Sequence, residues 1–116
     1  MKKLFFAIIL MASASITSAQ EYKIVTTIES VVPGGLGRSR MIKTDNEGKT
    51  EEIKMKNFFS MAGINFGNVV ENDQMIAKML NDMAQEGWKL ESITPGVYAA
   101  DKSTGIFISR YLFKKE

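Results

Sequence analysis

Apolar positions recur at helical spacing in one stretch of this chain and at alternating spacing in most of the rest. Met75, Ile76, Met79, Leu80, Met83 and Ala84 fall at i, i+1, i+4, i+5, i+8 and i+9, the single stripe of an amphipathic helix. Lys78, Asn81, Asp82, Gln85 and Glu86 occupy the opposite face. Asn72 or Asp73 is suited to open this helix by accepting from the free N–H groups of its first turn. Gly87 stands where the chain must turn left-handed to leave it, a conformation that costs a residue with a Cβ about 1 kcal/mol or more. Trp88 follows at the position that folds back on the last turn, near Met83. A strand then starts, with Trp88, Leu90 and Ser92 alternating against Lys89, Glu91 and Ile93.

Upstream, residues 22–31 alternate as a strand, with Tyr22, Ile24, Thr26 and Ile28 on one face and Val25, Thr27 and Val31 on the other. The run Pro33, Gly34, Gly35, Leu36, Gly37 breaks it. Residues 38–44 predict a second strand, 45–48 a turn and 50–56 a third strand, together a hairpin with a polar outer face. Residues 57–70 are too apolar for a solvated loop, and Gly63 and Gly67 argue against a long helix. They fit a short helix or strand fragment over the core, or an exposed apolar flap that marks a binding surface. Residues 95–104 read as a connection. Residues 105–115 form a last strand, with Ile106, Ile108 and Leu112 on one face and Phe107, Tyr111 and Phe113 on the other; a strand apolar on both faces is central.

The run AQEGWKLESIT, the terminal strand ending YLFKKE and the opening EYKIV resemble the DUF4177 family of small bacterial domains. The resemblance covers both ends of the chain after residue 19; residues 32–70 are longer than the family pattern. It implies a small α+β domain and carries over no activity and no catalytic residue.

Residues 1–19 read as a secretory signal peptide. Lys2 and Lys3 precede an apolar run of about nine residues, far short of the ~20 of a membrane span, and Thr17-Ser18-Ala19 suits a signal peptidase. Cleavage between Ala19 and Gln20 would leave one exported domain, residues 20–116, in the periplasm or outside the cell, without membrane insertion. Without Lys2 and Lys3 the 15 basic residues become 13, against 13 acidic ones. A chain so balanced lacks the net basic surface that nucleic acid requires. About 97 residues suffice for one core, and with no cysteine, packing alone must hold it.

Neither histidine nor cysteine is present, which excludes a thiol nucleophile, an imidazole base, a Ser-His triad and the usual zinc sites. No pair of carboxylate, lysine, tyrosine or serine residues stands out by spacing, so no catalytic residue and no cofactor is expected. PGGLGRSR admits an anion site in which Arg38 and Arg40, joined by Arg110, hold a phosphate, sulfate or carboxylate, although a glycine turn with solvated arginines is the commoner use of such a run. Gly48-Lys49-Thr50 resembles the end of a phosphate loop, but Lys43 stands where the upstream glycine belongs, and a hairpin turn is expected. Met75, Met79 and Met83 could offer thioethers to copper(I), yet methionine on an apolar helix face is far more often core, and no metal site is expected.

The expected fold is α+β: an antiparallel sheet of four or five strands with one long helix packed on one face. Two functions stay open. One is a non-enzymatic structural or interaction module of the bacterial envelope, meeting a protein partner or itself through a sheet edge or through Phe58, Phe59 and Phe66. The other is a small anionic-ligand binder built on Arg38, Arg40 and Arg110.

Overall fold

Alternation along the strands and one helical stripe build the domain. The computed structural model describes residues 20–35, 37–100 and 104–116; residues 1–19, read above as a signal peptide, lie outside them. In order come β1 (Glu21–Val31), β2 (Ser39–Thr44), β3 (Thr50–Met55), the two-residue strands β4 (Phe59–Ser60) and β5 (Gly63–Ile64), α1 (Phe66–Gln85), β6 (Lys89–Ala99) and β7 (Gly105–Lys115). Five of the strands form one antiparallel sheet in the order β3-β2-β1-β7-β6, and β4 and β5 pair separately. The two ends of the domain meet in its centre, where β1 pairs with β7 from Glu21↔Lys115 to Val31↔Gly105. The fold is α+β, with the helix on one face of the sheet.

Val25 and Thr27 of β1, Met41 of β2, Met55 of β3, and Tyr111 and Phe113 of β7 are buried on that face. Met79, Met83 and Trp88 close over them, and Ile53, Met75, Ile76 and Leu80 seal the margin. The methionine stripe is therefore core. The ammonium groups of Lys23 and Lys115 lie 5.0 and 5.2 Å from the Trp88 ring centre, where a cation is attracted to the ring face.

The helix ends as its sequence predicts. Gly87 has φ +88°, its N–H donates to Ala84 O (3.1 Å), and the Trp88 N–H donates to Met83 O (2.9 Å). These two bonds satisfy carbonyls left free by the last turn. A Cβ on Gly87 would meet only Lys115 Cε, at 3.5 Å, so the cost of a side chain there is backbone strain and not collision. Gly87→Ala should lose about 1 kcal/mol, seen as a lower denaturation midpoint; an unchanged midpoint would refute the left-handed cap. Gly37 is constrained differently: a Cβ there would fall 2.5 Å from Ser30 Cβ, because the chain after β1 folds back against it.

The helix start differs from expectation. It begins at Phe66, one and a half turns before Asn72, and Asn65 caps it by accepting from the Asn68 N–H at 3.0 Å. Gly67 sits in the first turn, where a missing side chain costs little packing. Asn72 is wholly buried within the helix. Its amide mimics a neighbouring peptide at the end of β3: Oδ1 accepts from Lys56 N–H (2.8 Å), while Nδ2 donates to Lys56 O (2.7 Å) and to Glu29 Oε2 (3.1 Å).

Two further corrections concern β6. The strand runs through Pro95 and Gly96, leaving only a short link before β7. Proline is tolerated there because β6 is an edge strand. A bulge between Leu90 and Ser92 makes Glu91 the extra residue, so that Leu90↔Phe113 and Ile93↔Tyr111 lie on the same face. Strict alternation placed Ile93 on the other one.

Candidate interaction surface

The helix covers one face of the sheet, and no described element covers the other. Strand pairing fixes what that open face carries. Rows running from β3 to β6 read Thr50, Thr44, Ile24, Leu112, Ser92, then Glu52, Ile42, Thr26, Arg110, Thr94, then Lys54, Arg40, Ile28, Ile108, Gly96. Ile24, Ile28, Ile42, Ile108 and Leu112 make an apolar centre. Tyr22 (45 % exposed) flanks it at one end, and Ile106 and Tyr98 (63 %) at the other. Beyond the helix, β6 is exposed along its whole length, including Leu90, Ile93 and Val97.

The sheet places the arginines apart. Arg40 and Arg110 both rise from the open face, but β1 lies between their strands and they sit one row out of step. Arg40 Nη1 donates to Glu52 Oε2 at 2.7 Å, and both side chains are about half exposed, so the pair contributes little stability. Arg38 precedes β2, exposed, with its carbonyl accepting from the Ser30 hydroxyl at 2.9 Å. Gly48 and Lys49 lie in the β2–β3 turn. There Asp45 Oδ1 accepts from the Glu47 and Lys49 N–H groups, both at 2.9 Å, and these bonds, that from Lys49 foremost, hold the Asp45 carboxyl below its usual range.

The stretch at 57–70 is partly core cover and partly exposed. The Phe58 N–H donates to Ser30 O (2.9 Å) and its ring meets Phe107 at 5.5 Å between centres. Phe59 is half-buried in β4, whereas Phe66, at the first helical position, is 75 % exposed.

Two clefts lie elsewhere. One of about 280 Å³ runs between the end of α1 and the β2–β3 turn, lined by Lys23, Lys43, Lys49, Asp45, Glu51 and Asp82 among others. Its charges are of both signs. The second, about 450 Å³, opens beside Gly87 among Lys89, Lys114 and Lys115, with Glu91 and Glu116.

A polar seam that no sequence spacing revealed joins helix to sheet. Burial raises the Glu29 carboxyl above its ordinary value, Asp73 adds to the rise, and the Asn72 hydrogen bond opposes it. Burial likewise raises the Tyr111 phenol, against its bond with Thr27. Glu29 and Asn72 are 43 residues apart, so only the folded register of α1 on β1 brings them together. Neither cleft includes this seam. Because the folded state holds the Glu29 proton more tightly than the unfolded chain, its contribution to stability is complete below the ordinary value of 4.5. That contribution is lost as pH rises through the elevated value. Glu29→Gln should therefore be more stable than the parent at neutral pH, with the gap closing in acid; a pH-independent difference in denaturation midpoint would refute this.

Together the fold and its open face define a small one-helix α+β sheet domain with an apolar surface. Comparisons with protein-family models, curated proteins and solved structures yield no match. Among the described residues no helix is long and apolar enough to cross a membrane.

Proposed function

We propose that the chain is a non-enzymatic interaction module of the bacterial envelope, similar to DUF4177 domains and exported by its leader, that docks a protein on the open face of its sheet. The observation that carries this reading is the apolar centre of Ile24, Ile28, Ile42, Ile108 and Leu112 on a face that no described residue covers. Soluble domains seldom leave contiguous apolar surface of that extent without a use for it. The alternative, an anion site on Arg38, Arg40 and Arg110, has less support, since Glu52 already engages Arg40 and β1 separates it from Arg110.

A photo-crosslinking side chain placed at Ile42 or Ile108 in the native host tests the reading. Adducts are expected from both positions and not from Lys78, which is exposed on the back of the helix. Equal labelling from Lys78, or none from the sheet, overturns it.

A further inference from the structure

Resting on the reading of the open face as a docking surface, we propose that its occupant is a second copy of this chain, packed sheet against sheet about a two-fold axis that runs along β1.

Size is the first support. Strands about 4.8 Å apart, rising about 3.3 Å per residue, give the five-stranded face roughly 700 Å² per copy. Two copies would thus bury roughly 1,400 Å², within the range of specific, stable interfaces. Charge is the second. On the open face β1 presents Tyr22, Ile24, Thr26 and Ile28, none of them charged, so the axis brings no like charges together. The row through Thr26 carries an acid on one side of β1, Glu52, and a base on the other, Arg110. A half-turn about β1 lays the β3–β2 side of each copy over the β7–β6 side of the other. It sets each Arg110 over the partner's Ile42, between the two members of the partner's ion pair, Glu52 in the same row and Arg40 in the next, so that Glu52 would be shared between Arg40 of its own chain and Arg110 of the other. Within its own chain Arg110 has no ion-pair partner among the described residues. Two sheets meeting in this way cross at about 30° because each is twisted.

The sheet edges are poorer candidates for self-association. β3 is short and carries Glu51, Glu52 and Lys54. β6 holds Pro95 at its middle, opposite Ser109, where no N–H can be offered to an incoming strand. What remains for a second copy is the face.

Sedimentation equilibrium of the purified protein, of Arg110→Glu and of Glu52→Arg tests this, with circular dichroism confirming that all three fold. The parent should be a dimer. Each variant alone should dissociate at least about tenfold more readily, because it sets like charges together at both symmetric contacts. An equimolar mixture of the two variants should re-associate, since the mixed dimer has opposite charges at both contacts. No role confined to one chain would produce that rescue.

A parent that stays monomeric at about 100 μM, above the micromolar-to-picomolar range of interfaces of about this size, overturns the proposal. So does a dimer indifferent to both substitutions, or a mixture that stays dissociated. If the parent is monomeric and yet Ile42 and Ile108 crosslink to a different protein, the second copy is wrong and the docking face stands. A monomer without sheet-face adducts removes both.

Discussion

Phe113→Ala is expected to cost about 4 kcal/mol, the range for emptying a buried aromatic site. Phe113 is 1 % exposed and pairs across β7 with both Lys23 of β1 and Leu90 of β6. It thus lies where the chain's two ends and the helix meet. A domain of this size has about 5–15 kcal/mol in all, and with no cysteine there is no disulfide to limit the unfolded chain. Urea denaturation followed by circular dichroism should show the midpoint falling by a large fraction of its value. Phe66→Ala, at a 75 % exposed position, should stay within about 0.5 kcal/mol of the parent. Equal effects from the two phenylalanines would mean that the core has been misplaced.

Asn72→Leu should lose about 3 kcal/mol although it introduces an apolar side chain of similar size into a buried site. The substitution leaves the N–H and the C=O of Lys56 without partners, each at a cost of roughly 1–3 kcal/mol, and it releases Glu29. The described residues otherwise contain no buried side-chain polar atom lacking a hydrogen bond, so the core has no spare partner to offer. Amide exchange supplies a second readout: the Lys56 N–H should lose its protection well before the centre of β1 does. Retained protection at Lys56 would show that Asn72 does not close the end of β3.

These two residues mark the limits of what pattern reveals. Phe113 and its strand were legible, because alternation on both faces identifies a central strand and β7 lies between β1 and β6. Gly87 and Trp88 were legible too, since a helix stop is decided within a few residues. Asn72 looked like a cap because asparagine before an apolar stripe usually is one. Its actual partners, Lys56 and Glu29, are set by tertiary register, which local spacing does not encode. The true cap, Asn65, was hidden by Gly63 and Gly67. Gly63 does break the chain, with φ +101° in the β4–β5 hairpin, whereas Gly67 falls in a first turn that tolerates it. Pro95 and Gly96 read as a loop by the same punctuation, yet an edge strand needs only one of its sides bonded.

Of the candidate site, alternation placed Ile24, Ile28, Ile108 and Leu112 on common faces of their strands. It could not say that the single helix would choose the opposite side. The arginines illustrate the converse: Arg40 and Arg110 do share a face, and the intervening strand, invisible until β1 pairs with both neighbours, keeps them apart.

The composition of the core has a chemical consequence. Of the eight buried apolar side chains among the described residues, four are methionines: Met41, Met55, Met79 and Met83. Each sulfur that gains an oxygen becomes a polar sulfoxide, unfit for the space it fills. Peroxide reaches these sulfurs only when the helix lifts, whereas Met61, 90 % exposed, is open to it at all times. The order in which the chain gains mass in units of one oxygen therefore reports the domain's own breathing: Met61 first, and the core four in proportion to the fraction of time that α1 is off the sheet.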